Sequence, residues 1–392
     1  MFVQNDVVSF FTSESVTEGH PDKICDLIAD SILDAILKQD SESRVACEVF
    51  ISKKMLVIGG EITTKAKINI IKIIKQILNE IKYSFFSSWF NCDSCVILNN
   101  INIQSPDIAA SVDIGGAGDQ GLMIGFACRE TSEFMPLPII LAHKLAMRLT
   151  ETRKKEILPY LEPDGKTQIT VEYINNKPKR IDTVVLSTQH NESILDKTGK
   201  RITKKSKTEI FDNIIFPVIG KLIDEKTNIY INPSGKFLIG GPVADTGLTG
   251  RKIIVDTYGG IVAHGGGSFS GKDPTKVDRS ASYMARHIAK NIVAADFADK
   301  CTVQLVYAIG IANPVSVMID IHNSNKVSRT LLEQVVKNIF PLRPSEIIRY
   351  LKLKRPIFSK TSVYGHFGRY DKDFTWEAIN KVDELKLEYK KI

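Results

Sequence analysis

The sequence lacks the long apolar runs that mark membrane proteins. No stretch of its 392 residues approaches the about 18 uninterrupted apolar residues of a membrane-spanning helix. The opening residues, MFVQNDVVSFF, have neither the basic start nor the long apolar core of a signal peptide. We therefore expect a cytoplasmic protein with no membrane partner.

Cysteine is scarce, and its spacing is uninformative. Of the six cysteines, Cys92 and Cys95 form one C-x-x-C, with no second pair at the spacing of a zinc site. Reduced thiols, as found in the cytosol, are the simplest interpretation. The chain also has no G-x-S-x-G, so His264-Gly-Gly-Gly, although similar to an esterase oxyanion loop, does not indicate an acyl-transfer hydrolase.

Charge of one sign is not strongly in excess. The net charge is +7, and the densest basic stretch, KTGKRITKKSK at Lys197–Lys207, has few aromatic residues interleaved. A solvated basic face explains it better than a nucleic-acid site. We expect no nucleic-acid partner.

The order of predicted elements recurs three times along the chain. Each repeat reads β-α-β-β-α, and a further strand closes the first two. The third is predicted to open with a strand at Lys252–Asp256. The fold class is therefore α+β (α/β), with three similar β-α-β-β-α-β units in pseudo-threefold symmetry, at residues 8–107, 115–238 and 239–378. Each unit would place its helices on one face of a mostly antiparallel sheet, and covering the other faces favours a homo-oligomer.

Glycine and lysine are concentrated in one stretch, Gly259–Ser280, GGIVAHGGGSFSGKDPTKVDRS. Glycines allow close backbone approach, and amide groups with Lys272 and Lys276 suit a polyphosphate. Asp278 adds a carboxylate of the kind that binds the accompanying metal ions. The stretch nearly fits the phosphate-loop pattern but has Asp273 at the last position, so the standard NTPase fold is not indicated.

Other polar segments allow both a structural and a functional interpretation. Glu18-Gly-His-Pro-Asp-Lys23 is either a capped helix start or an anion site with a Mg²⁺ ligand. Glu48 is an outward-facing strand residue or a paired carboxylate. Gly116-Ala-Gly-Asp-Gln-Gly121 fits G-x-G-x-x-G, but a strand follows it, so it is not a dinucleotide site; it is a turn or part of a mobile flap from Gln104 to Gly121.

Taken together, these segments resemble the S-adenosylmethionine synthetase (methionine adenosyltransferase) family over nearly the whole chain. The most specific matches are Glu18–Lys23, Gly116–Gly121 and His264–Arg279. Further matches are Gln104-Ser-Pro-Asp-Ile, Gly247–Gly260 and Tyr364-Gly-His-Phe-Gly-Arg369. The resemblance implies an enzyme that joins ATP and L-methionine into S-adenosylmethionine and cleaves the released tripolyphosphate. It also implies two Mg²⁺, one K⁺, and a homodimer or dimer of dimers (a homotetramer) with active sites at the dimer interface.

The resemblance further implies roles for individual residues. The implied catalytic residues are His20, Lys272 and Arg251. The implied ATP contacts are His20, Asp164, Lys166, Lys236, Phe237, Asp245, Arg251, Lys252, Ser268 and Lys272. The implied methionine contacts are Glu61, Gln104, Asp119, Asp245 and Lys276. The implied metal ligands are Asp22 and Asp278 for Mg²⁺ and Glu48 for K⁺.

The chain departs from the family pattern in three places. The segment between Asp107 and Gly115 is short, Ala244 replaces the usual glycine, and Lys236 stands where arginine is common. None of these removes an implied catalytic group. Two other functions remain open, an ATP-dependent kinase or ligase and a non-catalytic binding subunit. Product analysis distinguishes the first, and the presence of His20 and Lys272 argues against the second.

Overall fold

The structure, a computed structural model, describes residues 7–82, 95–103, 116–322, 324 and 326–391. Its strands are β1 (Val8–Val16), β2 (Arg44–Ser52), β3 (Met55–Thr63), β4 (Val96–Asn102), β5 (Gly121–Cys128), β6 (Leu161–Ile174), β7 (Lys177–His190), β8 (Asn228–Ile231), β9 (Gly247–Leu248), β10 (Lys300–Tyr307) and β11 (Ser316–Asp320). Its α-helices are α1 (Pro21–Leu37), α2 (Ile70–Glu80), α3 (Leu137–Lys154), α4 (Lys204–Ile210), α5 (Phe216–Ile219), α6 (Gly241–Ala244), α7 (Ile253–Asp256), α8 (Val277–Ala294), α9 (Arg329–Ile339), α10 (Pro344–Tyr350) and α11 (Val382–Lys391).

Three sheets carry the fold, in the strand orders β1-β6-β7-β8, β11-β10-β5 and β4-β3-β2-β9. The predicted α+β class with a threefold repeat is confirmed. The first strand of each repeat, however, pairs with the hairpin of a different repeat: β1 with β6, β5 with β10, and β9 with β2. This cyclic exchange ties the three repeats together through backbone hydrogen bonds, which the sequence pattern did not reveal.

The strand predicted at Lys252–Asp256 is wrong. Residues 253–256 form the short helix α7, and the pairing strand is β9, only two residues long. Gly250 has a φ of +75°, a left-handed conformation that turns the chain soon after β9. The turn brings Asp256 into the interior beside Lys23.

Helix α1 joins the first repeat to the third. Pro21 occupies its first turn, where a missing N–H is harmless, and Ile24, Ile28, Ile32 and Ile36 are buried. Another row of the helix carries carboxylates every four residues, a spacing that aligns side chains on one face. These are Asp22, Asp26, Asp30 and Asp34.

Each of the four carboxylates accepts a backbone N–H from the third repeat. Asp22 accepts from Leu248 at 3.0 Å, Asp26 from Gly250 at 2.9 Å and Asp30 from Gly271 at 2.8 Å. Asp34 accepts from residues 358 and 359. The aspartate row therefore fixes β9 and the glycine-rich loop against α1.

The core is built in two parts. One apolar cluster joins α1, β2 and β3 to β5, α8 and β10, and the other belongs to α3, β6 and β7. Helix α8 is buried on nearly all sides, so its charged residues need internal partners. Arg286, for example, donates to Glu377 and to three main-chain carbonyls. Among the described helices, none has the length and apolar character needed to cross a membrane.

Candidate active site

The start of α1 assembles a histidine, a carboxylate and a lysine from two repeats. His20 is the N-cap residue, and its Nδ1 accepts the Asp22 N–H at 3.2 Å. The Asp22 carboxylate accepts a hydrogen bond from Lys252 Nζ at 2.6 Å, and an Arg251 Nη1 atom lies 3.9 Å from it. The predicted contacts at this helix start therefore converge from residues 20–22 and 251–252.

Both titratable groups at this helix start are perturbed. Burial, with the positive charge of Lys252 next, lowers the pKa of His20 to about 3. The imidazole is therefore neutral near pH 7, and because Nδ1 accepts a hydrogen bond, its proton is on Nε2. Burial opposes ionisation of Asp22, but the hydrogen bonds from Lys252 and Leu248 outweigh it and lower the pKa of that carboxyl.

A fully buried cluster of charged side chains lies next to this helix start. Lys23 Nζ lies 2.8 Å from Asp26 and 2.5 Å from Asp256. Burial raises the pKa of Asp256 to about 7, although Lys23 opposes this shift. Sequence reasoning missed Asp26 and Asp256. The i, i+4 spacing of Asp22 and Asp26 in an otherwise apolar helix could have pointed to Asp26. Nothing in the sequence around Asp256 indicated its role.

The glycine-rich loop docks on strand β2 through its backbone. Gly271 accepts the Cys47 N–H at 2.9 Å, Asp273 donates its N–H to Val45 at 2.9 Å, and the Asp273 carboxylate accepts the Val45 N–H at 2.7 Å. Gly271 has a φ of +77°, and a Cβ there would lie 1.9 Å from the Cys47 oxygen. Only glycine permits this approach.

The two loop lysines have different environments. Lys272 Nζ lies 2.7 Å from Asp278, an ion pair between two predicted site residues. Lys276 instead pairs with Asp273 at 2.9 Å, within the loop itself. Lys272 thus projects from a loop that both β2 and the start of α8 hold in place.

Glu48 lies on the exposed face of β2 and faces this loop. Partial burial raises the pKa of its carboxyl to about 7; Lys272 opposes the shift, while Asp26 and Glu61 add to it. Glu61 lies on the neighbouring strand, opposite Ala46. The outward orientation named as the structural alternative for Glu48 is observed, and Lys272 is near enough for its charge to favour the ionised carboxyl.

Asp164 is a further buried carboxylate among the predicted site residues. Its Oδ2 accepts the Gly241 N–H at 2.8 Å, while its buried Oδ1 has no hydrogen-bond partner among the described residues. Burial raises the pKa of this carboxyl to about 6; Lys166 opposes the shift and Asp245 adds to it. Lys166 also acts on His20, so this carboxylate adjoins the helix start.

The remaining predicted site residues are less closely connected. Asp119 is exposed and accepts the Gln120 N–H at 2.8 Å. Lys236 is exposed, and the Phe237 backbone pairs with His190. Ser268 packs against Gly250, where a Cβ would lie 2.5 Å from the serine Cβ. Gln104 and Cys92 lie outside the described residues.

The donor set fits a hydrated cation better than a protein-enclosed one. Within the described residues, no group of three or more His, Cys, Asp or Glu side chains could enclose a metal ion. Asp22 and Asp278 instead each supply one carboxylate beside a lysine. Mg²⁺ is usually bound in this way, through one or two carboxylates, with water and substrate phosphates completing its coordination.

The fold and the site together define a class: an α+β protein of three repeats, with lysines and carboxylates of the first and third gathered at the start of α1 and at the glycine-rich loop. Family models for the N-terminal, central and C-terminal domains of S-adenosylmethionine synthetase match residues 8–106, 114–237 and 239–378. A protein of Clostridium tetani named S-adenosylmethionine synthase is 53% identical over 391 residues, covering 96% of this chain and 98% of its own. The chain belongs to the S-adenosylmethionine synthetase family.

Proposed function

We propose that this chain is a methionine adenosyltransferase. It forms S-adenosylmethionine from ATP and L-methionine, then hydrolyses the tripolyphosphate to pyrophosphate and phosphate. Its family membership and the name of its Clostridium tetani relative support this assignment. The structural observation that carries it is the convergence of His20, Asp22 and Lys252 at the start of α1, where His20 Nδ1 accepts the Asp22 N–H and Lys252 donates to the Asp22 carboxylate.

The reaction needs charge stabilisation rather than a base. The methionine sulfur attacks the ribose C5′ carbon with a lone pair, so no proton has to be removed. The bond from C5′ to the triphosphate oxygen breaks, and negative charge develops on that oxygen. Donors placed at the developing charge lower the barrier, and losing one donor typically costs about 3 kcal/mol.

His20 would supply the donor at the bond that breaks. Because its Nδ1 accepts the Asp22 N–H, its Nε2–H can donate to the leaving oxygen. The imidazole would donate in its neutral form, because burial lowers the pKa of His20 to about 3. This role makes His20 a stabiliser of the leaving group and leaves the sulfur to attack unaided.

The cations of the cleft would hold the triphosphate. Lys272 and Arg251 join His20 as catalytic groups, with Lys252 and Ser268 as further ATP contacts. The partnerless Oδ1 of Asp164 supports an additional hydrogen bond from ATP. The remaining proposed ATP contacts are Lys166, Lys236, Phe237 and Asp245, and the proposed methionine contacts are Glu61, Gln104, Asp119, Asp245 and Lys276.

The proposed cofactors are two Mg²⁺ and one K⁺. Asp22 and Asp278 would hold Mg²⁺, and Glu48 would hold K⁺. When bound, these cations neutralise phosphate charge. Lys252 and Lys272 would then exchange part of their contact with these carboxylates for contact with phosphate oxygens.

The proposed assembly is a homodimer or a dimer of dimers, with the active site at the dimer interface. Exposed apolar side chains on edge strands, Val8 and Phe10 on β1 and Val96 and Leu98 on β4, support a covered face. We propose unit boundaries of 8–107, 115–238 and 239–378 and a cytoplasmic location.

The direct test is product analysis with purified protein, ATP, methionine, Mg²⁺ and K⁺. We expect S-adenosylmethionine, pyrophosphate and phosphate from the wild type, and a loss of about 100-fold or more from Lys272→Ala and His20→Ala. Lys204→Ala, at an exposed lysine, is the matched control. Normal turnover by both site variants would overturn the residue roles. A phosphorylated or adenylylated product without S-adenosylmethionine would identify a kinase or ligase instead.

A further inference from the structure

A basic cavity adjoins the glycine-rich loop at Thr275. Its volume is about 440 Å³, and its lining includes Thr275 of that loop and cations from β2 and from the segment that begins at α10. The five lining cations are Arg44, Arg349, Lys352, Lys354 and Arg355. No carboxylate lines the cavity among the described residues. None of the lining residues is a proposed catalytic, ATP-, methionine- or metal-binding residue, although Gly116 begins the Gly116–Gly121 segment of the predicted flap.

The charge of this cavity is only partly neutralised from outside. Lys354 pairs with Glu42, and Arg355 lies 3.1 Å from an Asp373 oxygen. Arg349 and Lys352 are exposed and form no ion pair within the part of the chain that the structure describes. Like charges gathered around a concave site repel one another, and an anion relieves this repulsion.

A polar atom in the wall also lacks a partner. Thr275 Oγ1 is buried and makes no hydrogen bond among the described residues, while the Thr275 N–H donates to Asp273 Oδ1 at 2.8 Å. A hydroxyl can donate to a phosphate oxygen. Thr275 lines the cavity, so a rotation of its side chain would let this unpaired hydroxyl meet an anion there, in addition to the charge of the lysines and arginines.

We propose that this cavity binds a multiply charged phosphate anion, either inorganic pyrophosphate or the diphosphate of a nucleotide. The volume lies within the range of small-molecule sites, about 300–1,000 Å³. Guanidinium groups match phosphate oxygens with paired N–H donors, which Arg349 supplies.

Bound anion would also stabilise the loop that carries Lys272. Arg44 precedes Val45, and Thr275 follows Asp273, the two residues whose main chains pair at 2.9 Å. An anion that contacts Arg44 and Thr275 would therefore tie the start of β2 to the loop that carries Lys272. Any effect on turnover rests on the proposed function, whereas binding of the anion does not.

Calorimetric titration with sodium pyrophosphate at fixed ionic strength tests the site. The pocket variant is Arg349→Gln with Lys352→Asn, because Lys352 has a φ of +51° that asparagine tolerates. The control is Lys197→Gln with Lys204→Gln, which removes the same charge from the exposed basic stretch. We expect two classes of site in the wild type and the control. In the pocket variant one class should weaken about tenfold or more.

A second titration with adenosine diphosphate identifies the source of the diphosphate. Loss of the same class with both probes indicates a nucleotide site, and loss with pyrophosphate alone indicates an inorganic anion. Both classes persisting at wild-type affinity in the pocket variant would overturn the proposal. An unchanged melting curve of the pocket variant without ligand shows that any loss is not caused by unfolding. Failure to form S-adenosylmethionine would contradict the proposed function without affecting this result.

Discussion

Both guanidinium nitrogens at the end of Arg279 donate to the two oxygens of Asp30, at 2.7 and 2.8 Å, and both side chains are fully buried. The pair joins α1 to α8, and Arg279 also donates to the main chain of Phe269 and Lys272. This buried ion pair therefore adds to the contacts that fix α1, whose N-cap is His20, relative to the loop that carries Lys272.

Asp30→Asn should destabilise the protein strongly, because it leaves the buried guanidinium of Arg279 without its counter-charge. Breaking such a pair typically costs about 3–5 kcal/mol. Denaturant unfolding measures the loss in free energy of unfolding. Asp299→Asn, which breaks exposed pairs with Arg129 and Lys326, is the control and should cost less than about 1 kcal/mol. Equal losses of stability in the two variants would show that the buried pair does not hold α1 and α8 together.

Stability should fall as the pH falls below about 6.5, and His287 is one cause. Burial lowers its folded-state pKa from 6.5 to about 4, so the unfolded chain takes up a proton first. The sign follows from linkage: the state that binds more protons gains as pH falls, and here that state is unfolded. The contribution of His287 lost by pH 5 is about 2 kcal/mol.

His287→Gln measures this contribution. At pH 8 the variant should be less stable than the wild type, because contacts of the imidazole with Trp376 and Tyr350 are lost. Between pH 8 and pH 5 its free energy of unfolding should fall about 2 kcal/mol less than that of the wild type. Parallel pH curves for the two proteins would exclude His287 as a source of the acid sensitivity.

The sequence predicted the elements that local patterns define. Helix α1 follows from its apolar spacing and Pro21, and the Lys272 loop follows from its glycines. Strand β9 could not be predicted, because its two residues are strand only through pairing with Phe50 and Ile51 of β2. Local preference instead favoured a strand at the β-branched residues Ile253 and Ile254, where the turn at Gly250 leads into a helix.

Contacts between distant segments set the rest of the site. Gly241, which lies 77 positions further along the chain, donates its N–H to Asp164 Oδ2, and Asp164 Oδ1 is left without a partner. The pairing of Lys276 with Asp273 was locally available at a spacing of i, i+3. The sequence alone did not show that Lys276 would form this pair, because the position of Asp273 depends on a backbone hydrogen bond with the distant residue Val45.

Gly271→Ala should displace Lys272 and reduce turnover. A Cβ at Gly271 would lie 1.9 Å from the Cys47 oxygen, so the loop must move away from β2. Misplacing a positioned group by about 1 Å can cost about 100-fold in rate. Gly266→Ala is the matched control, because it also has a positive φ, +96°, but its Cβ would meet nothing within 4 Å. Similar kcat values for the two variants would show that the close approach at Gly271 is not needed.

Glu48→Gln should abolish stimulation by K⁺ while leaving the fold intact. The exposed position of Glu48 on β2 accommodates an amide, but the amide lacks the negative charge that would attract a cation beside Lys272. Turnover is measured with KCl replaced stepwise by tetramethylammonium chloride at constant ionic strength. The wild type should lose activity as K⁺ is withdrawn, and the variant should start low and change little. Glu192→Gln, at an exposed carboxylate elsewhere, should behave as the wild type. A variant that still responds to K⁺ with the wild-type midpoint would place the K⁺ site away from Glu48.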